Sequence, residues 1–174
     1  MSIAEFPRGD RGDRGAATQR STNRIPPHSV EAEASLLGAM LLSREAVSIA
    51  FERGVRSDEF YKPAHQHIFD AIRALNSAGE PVDPITVGDE LRRNNLLDGI
   101  GGIDALLTLQ NATPAITSAE RYAKIVRETA SLRKLISVAS EIAEIAYSGP
   151  EDVARAIDES ESKIFDVSET NIGD

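Results

Sequence analysis

The amino-acid sequence predicts an all-α protein, a compact bundle of about six short helices followed by a long antiparallel helical hairpin. From residue 30 onward, apolar residues recur every three or four positions, and no segment reads convincingly as a β-strand. Aromatic residues make up 5% of the chain and Trp is absent, so the core must consist mainly of Leu, Ile, Val and Ala. Residues 119–147 contain neither Gly nor Pro, which predicts one long helix.

The first 24 residues are predicted to form a disordered tail. They are rich in Gly, Arg, Ser and Thr and contain almost nothing apolar after Phe6. An Arg-Gly-Asp triplet occurs twice, but the composition of a flexible tail accounts for it because no secretion signal precedes it. Pro26 and Pro27 then form a stiff, extended lead-in to the first helix.

The first helix is predicted over residues 30–42, with Ser29 as its N-cap. Glu31 and Glu33 lie in its first turn, where the positive end of the helix dipole favours carboxylates. One apolar face is expected, formed by Val30, Ala34, Leu37 and Leu41.

Five more short elements are predicted before residue 113, each delimited by caps, Gly or Pro. They are a helix over about 44–53 after Ser43, a helical turn at 57–61, a helix from Pro63 to Ala78, a helix following Asp83 through Leu91, and a short helix from Ile103 to Leu109. Residues 99–102 are expected to form a turn because Gly occupies three of the four positions.

The rest of the chain predicts the hairpin. Thr117 and Glu120 stand at the spacing of a capping box, and the helix that it starts should continue to Tyr147. Ser148-Gly149-Pro150 then forces the chain to reverse, because Gly ends one helix and Pro suits the start of the next. The returning helix shows a heptad seam, formed by Val153, Ile157, Ser160, Ile164 and Val167.

The long helix carries more apolar residues than one helix pair can bury. Its stripe consists of Tyr122, Val126, Leu132, Leu135, Ile136, Ala139, Ile142, Ala143 and Ala146, and Ile125, Val138 and Ile145 lie outside this stripe. We favour a second copy of the chain as the cover for this surplus. The alternative is a closed bundle in which one chain buries all of these side chains by itself.

Motifs for catalysis or cofactor binding are missing from the sequence. No Gly is followed by Lys, so there is no phosphate-binding P-loop, and neither a nucleophile elbow nor a dinucleotide fingerprint is present. His65 and His67 are the only close histidine pair, and two positions apart on a helix they point about 200° apart. With no Cys in the chain, we predict no metal site.

The charge of the chain disfavours direct binding of nucleic acid. The net charge is −9, and the tail is locally basic, so the rest of the chain is more acidic still. An acidic body repels phosphate backbones and suits a protein partner, or a polymer that another part of a larger assembly holds. Arg92 and Arg93 are expected to pair with neighbouring acids. No segment is long and apolar enough to span a membrane, and a cytoplasmic location is expected.

Seven strings occur in one order along residues 24–169: RIPPHSVEAE from Arg24, LLGAM from Leu36, DEFY from Asp58, AHQHIF from Ala64, GEPVD from Gly79, GG at Gly101, and YAKIV from Tyr122. In this order they resemble the N-terminal part of the bacterial DnaB-type replicative helicase. The resemblance implies hairpins that pair into dimers, three of which build a collar above an ATP-driven motor ring. It also implies that the collar docks primase and meets single-stranded DNA only indirectly, with a helicase loader as a further candidate partner.

On this resemblance the chain itself is expected to be non-catalytic and to bind no cofactor. ATP and Mg belong to the family's motor domain, which is expected to follow Asp174. The predicted organisation is a tail at 1–24, a globular helical unit at 25–116, a hairpin at 117–169 and the start of a linker at 170–174.

The partner-binding surface is predicted from the hairpin and from the resemblance together. Ile136 and Ile142 match positions on the face that contacts primase in the family, and Ala105 stands where some relatives carry an aromatic residue. The predicted set, for primase or for a second hairpin, is Ile125, Leu132, Ile136, Ile142, Ile157, Ile164 and Ala105.

Two other functional classes compete with this prediction. A DNA-binding regulator could use the helices between Asp83 and Leu109 as a helix-turn-helix, but the acidic charge and the lack of a basic recognition helix disfavour it. A small hydrolase would require a carboxylate or histidine essential for turnover, and the sequence singles out none.

Overall fold

The computed structural model describes residues 24–169, so the predictions for residues 1–23 and 170–174 lie outside it. Its described part is all-α, as the sequence predicts. In chain order it contains α1 (Val30–Leu42), α2 (Arg44–Glu52), a 3₁₀ turn (Ser57–Glu59), α3 (Pro63–Ser77), α4 (Pro84–Arg93), α5 (Leu97–Ile100), α6 (Gly102–Ala112), a second 3₁₀ turn (Ile116–Ser118), α7 (Ala119–Tyr147) and α8 (Val153–Glu169). We refer to α1–α6 as the bundle and to α7 with α8 as the hairpin.

Helix α1 lies at the centre of the bundle. It contacts α2, α3, α6 and α7, and every residue from Leu36 to Leu41 is buried. The prediction of a single apolar face is therefore wrong, because α1 is buried on more than one side. Two predicted members of that face, Val30 and Ala34, are only partly buried. A helix surrounded by four others must present apolar groups in almost every direction.

Helices α1 and α6 lie very close to each other at Gly38. A Cβ atom at this position would overlap the hydroxyl of Thr113 and the backbone carbonyl of Leu109. The Thr113 hydroxyl donates a hydrogen bond to that same carbonyl at 3.0 Å, so neither group can easily move away. The missing side chain of Gly38 therefore sets the distance between the two helices.

The predicted N-caps of α1, α2 and α4 are confirmed. The side chains of Ser29, Ser43 and Asp83 each accept hydrogen bonds from backbone N–H groups in the first turn of the helix that follows. These bonds satisfy donors that have no partner within the helix.

Two local predictions are wrong. Thr117 and Glu120 form no capping box, because a 3₁₀ turn leads directly into α7 and the N-cap Ser118 makes no side-chain capping bond. Residues 99–102 are not a simple turn. The first part of this stretch lies in α5, which packs Ile100 into the core before Gly101 ends the helix at a φ of 102°.

Helix α7 belongs to both parts of the molecule. Ala119, Ala123 and Val126 in its N-terminal half lie in the bundle core, whereas its C-terminal half leaves the bundle and pairs with α8. Val138 and Val167 are buried where α7 and α8 pack together. The antiparallel hairpin is thus confirmed. None of the described helices is long and apolar enough to cross a membrane.

Candidate protein-interaction surface

The contact between α7 and α8 is narrow and uses small or polar side chains. Among the described residues of α8, the ones that are not exposed are Ala156, Ser160, Lys163 and Val167. Lys163 also forms an ion pair with Glu141 of α7 at 2.9 Å. Of the predicted heptad seam, therefore, only Ser160 and Val167 face α7.

The larger apolar residues of the hairpin remain exposed. On α8, Ile157 and Ile164 are 54% and 48% exposed, and on α7, Leu132, Leu135 and Ile136 are 50%, 45% and 52% exposed. Leucine and isoleucine are among the residues that proteins bury most often, so five of them together on one hairpin indicate an interaction surface.

These five residues lie on one side of the hairpin. At 100° per residue, the exposed stripe of α7 is displaced about 110° around the helix from the side that packs on α8. The exposed stripe of α8 is displaced about 70° in the same rotational sense from the side that packs on α7. Because the two helices are antiparallel, equal senses of rotation turn both stripes to the same side. We call the surface formed by Leu132, Leu135, Ile136, Ile157 and Ile164 the hairpin face.

The structure brings four of the seven predicted partner-binding residues together on the hairpin face. The other three lie elsewhere. Ile125 and Ala105 are partly buried against the bundle core, and Ile142 is partly buried near the contact with α8.

Charge is distributed unevenly along the hairpin. The part next to the bundle, residues 119–134, carries five Lys and Arg against two Glu. The distal part, residues 135–168, carries two cations against eight acids. The hairpin therefore has a basic proximal part and an acidic distal part.

Two arginines of α7 join the hairpin to the bundle. The Arg127 guanidinium donates a hydrogen bond to the backbone carbonyl of Arg53 at 2.7 Å, and its Nε lies 3.7 Å from a carboxylate oxygen of Glu59. Arg133 donates to the backbone carbonyls of Pro27 and Glu59 at 2.8 and 2.6 Å. Burial raises the pKa of Glu59, and the hydrogen bond from the Arg56 N–H and the charge of Arg127 offset this only in part.

A buried Glu33–His65 pair, which the sequence analysis missed, ties α1 to the start of α3. The Glu33 carboxylate accepts hydrogen bonds from the N–H groups of Tyr61 and Lys62 and lies 2.7 Å from Nδ1 of His65. Burial raises the pKa of Glu33, but these hydrogen bonds outweigh it, so the pKa lies below its usual value. The sequence held one clue, because Glu33 shares a helix face with Leu37.

The remaining polar candidates are occupied within the bundle. Arg92 and Arg93 both pair with Asp89, as expected, which neutralises the small basic spot on α4. His67 is partly buried. In the part of the chain that the structure describes, no group of three or more His, Asp or Glu side chains could hold a metal ion.

Comparison with known proteins identifies the fold that carries this surface. The family model of the DnaB-like helicase N-terminal domain matches residues 25–128. The chain belongs to this family. A crystal structure of the N-terminal domain of DnaB helicase from Mycobacterium tuberculosis has a TM-score of 0.78 and 42% identity to this chain, over 81% of this chain and 99% of that one. The N-terminal domain of DnaB lacks the helicase motor.

Similar curated proteins are named as replicative DNA helicases. The chain is 43% identical over 153 residues to replicative DNA helicase DnaB of Mycobacterium leprae, covering 87% of this chain and 25% of that protein. It is 40% identical over 170 residues to replicative DNA helicase DnaB of Leifsonia xyli, covering 98% of this chain and 36% of that protein. The chain thus spans about a quarter to a third of the length of these relatives.

A more distant structure shares the DnaB fold. A DnaB-like replicative helicase, described together with its interactions with primase, has a TM-score of 0.66 and 24% identity to this chain. The match covers 80% of this chain and 31% of that helicase chain.

Proposed function

We propose that this chain is the assembly and docking domain of a replicative helicase that acts in the cytoplasm. In this proposal the hairpin pairs with the hairpin of a second copy, pairs build the collar of a ring, and the collar binds primase and, as a further candidate, a helicase loader. Binding of ATP and Mg, and unwinding of DNA, belong to the motor domain of the whole helicase.

The hairpin face is the observation that carries the proposal. Its five Leu and Ile side chains are each about half exposed, as Ile136 is at 52%, and they come from both helices. A second hairpin would add two helices and complete a four-helix arrangement in which such side chains interdigitate. A two-fold symmetric pairing uses the same surface on both copies, so one face is sufficient.

The uneven charge of the hairpin favours an antiparallel pairing of the two copies. In that arrangement the basic proximal part (119–134) of one copy lies beside the acidic distal part (135–168) of the other. A parallel pairing would instead place acidic part against acidic part, which costs free energy through repulsion of like charges.

Docking of primase is the second part of the proposal. Ile136 and Ile142 lie on the distal half of α7, and Ala105 lies on α6. The similar helicase described with primase supports a role of this kind for the fold. Ile125 packs partly against the core. We therefore rank it last among the candidate partner-binding residues.

Sedimentation over a range of protein concentrations tests the pairing. Wild-type chain should form concentration-dependent dimers, and Ile136→Glu or Ile157→Glu should weaken dimerisation by more than tenfold, which corresponds to about 1.4 kcal/mol. Phe165→Glu is the matched control, because Phe165 is 61% exposed on the same helix as Ile157 but lies about 100° around it from Ile164.

The pairing proposal fails if wild-type chain is strictly monomeric at high concentration, or if Phe165→Glu dissociates the dimer as strongly as Ile157→Glu.

Titration of purified primase onto the wild-type chain and onto Ile142→Glu separates docking from pairing. We expect Ile142→Glu to weaken primase binding, and equal affinity of both chains would exclude Ile142 from the docking surface.

A further inference from the structure

The direction in which the hairpin leaves the bundle is not determined by apolar packing alone. Between Val126, the last α7 residue in the bundle core, and Val138, which lies under α8, no described residue of α7 is buried. Over these three turns, hydrogen bonds from Arg127 and Arg133 join the helix to the bundle.

Arg133 makes the central contacts in this stretch. One of its terminal nitrogens donates to the carbonyl of Pro27 in the lead-in, and the other donates to the carbonyl of Glu59 in the first 3₁₀ turn. The guanidinium also lies 5.5 Å from the centre of the Tyr61 ring. One planar cation therefore joins α7 to two segments that are far apart in sequence, which suits the fixed fork of arginine donors.

The lead-in is also held in place by aromatic stacking. The ring of His28 stacks on the ring of Tyr61 with 4.2 Å between centroids and 13° between planes. Nδ1 of His28 also donates to the carbonyl of Pro26 at 2.7 Å. The two prolines have restricted backbones, so a short, stiff segment is fastened at Tyr61 and at Arg133.

We propose that residues 26–28 act as a strap that, through Arg133, fixes the angle between the hairpin and the bundle. Release of the strap lets the hairpin swing as a rigid arm while the bundle core and the α7–α8 contact stay intact. A partner that displaces the strap would therefore change the direction of the hairpin. This inference concerns one chain and does not require that hairpins pair.

Distances between spin labels test the strap directly. The chain has no Cys, so labels can be placed at Tyr147→Cys on the tip of α7 and Ile85→Cys on α4, which are 87% and 69% exposed. Labelled chain is diluted with excess unlabelled chain, so that only distances within one molecule contribute. Circular dichroism and thermal melting monitor the fold.

Five altered chains, three that disturb the strap and two controls, are compared with the wild type in the labelled background. Arg133→Gln and deletion of residues 1–27 should each broaden the distance distribution roughly twofold, as expected for a released rigid arm. Arg133→Lys should broaden it less, since the ammonium keeps the positive charge but lacks the fixed fork of donors that reaches both carbonyls. Deletion of residues 1–23, which leaves the strap in place, and Arg121→Gln on the exposed side of α7 should leave the distribution unchanged.

Unchanged distributions for both Arg133→Gln and the 1–27 deletion would overturn the proposal. It is also overturned if these variants lose helix content or cooperative melting, because the contacts would then stabilise the core rather than set an angle. Equal broadening by the two deletions, 1–23 and 1–27, would also overturn it, because residues 1–23 and not the strap would then account for the effect.

Discussion

The bundle and the hairpin use the same aliphatic residues but bury them to different extents. Leu36, Leu37 and Met40 of α1 are completely buried, whereas Leu132 and Ile136 of α7 are 50% and 52% exposed. The bundle therefore gains the free energy of apolar burial within one chain. The hairpin would gain most of this free energy only when a partner covers its exposed side chains. Pairs of matched substitutions in the two regions can test this difference.

Truncation of a leucine should have the largest effect in the bundle. Leu36→Ala should lower the free energy of unfolding by about 3 kcal/mol, because it leaves a cavity in a closed core. Leu135→Ala on the hairpin, which is 45% exposed, should cost about 1 kcal/mol or less in dilute chain. Urea unfolding followed by circular dichroism measures both, and similar losses would show that the hairpin face is buried within one molecule.

Replacement of the buried Glu33 should have the next largest effect. Glu33→Gln should destabilise the bundle by about 2 kcal/mol near neutral pH, since an amide N–H would face groups that already donate. The exposed Glu31→Gln in the same helix turn should change stability by about 0.5 kcal/mol or less.

The pH dependence of stability gives a second test of Glu33. Hydrogen bonds lower its folded pKa in spite of burial. Its contribution is therefore present above the unfolded pKa of about 4.3 and is lost as the pH falls through the folded pKa. The stability difference between wild type and Glu33→Gln should shrink over that interval, and a constant difference would contradict the lowered pKa.

A smaller effect is expected at the turn of the hairpin. Gly149 has a φ of 64°, which costs an L-residue about 1 kcal/mol, so Gly149→Ala should speed amide exchange in α8 with little change in α1. Gly99→Ala is the control, because both positions offer open space but Gly99 has no positive φ. Equal acceleration in α1 and α8 would mean that the two regions open together.

The smallest effect is expected for the Arg53–Glu120 ion pair, which joins α2 to α7 at the surface. Both side chains are well exposed, at 46% and 61%, so a double-mutant cycle with Ala should give a coupling of about 0.5 kcal/mol or less. A much larger value would show that surface ions, and not Arg133, hold the hairpin to the bundle.

Local patterns in the sequence predicted most of the fold. Caps such as Ser29 and Asp83 act on the helix that follows them, and the run from 119 to 147 needs no distant partner to be helical. The predictions failed where distant residues decide the outcome. Glu33 meets His65 across 32 positions, and Arg133 meets Glu59 and Pro27 across 74 and 106 positions. Periodicity cannot show such pairs.

The candidate surface was predicted only in part, because it too depends on how segments distant in sequence pack together. Exposure of Ile136 followed from the apolar surplus of the long helix, which one helix pair cannot bury and which is a property of composition. Which side of α8 would face α7 depends on how the two helices pack, and here the small Ala156 and Ser160 take that place. The heptad spacing alone could not distinguish the inner side from the adjacent one.

The contact between α1 and α7 has a consequence for the order of events during synthesis. After α1 emerges from the ribosome, it must wait for the N-terminal half of α7 before its surroundings are complete. The C-terminal half of that same helix carries the exposed leucines and isoleucines. The exposed apolar residues are thus translated only a few residues after the segment that completes the core. This short interval limits the time in which an incomplete chain can aggregate.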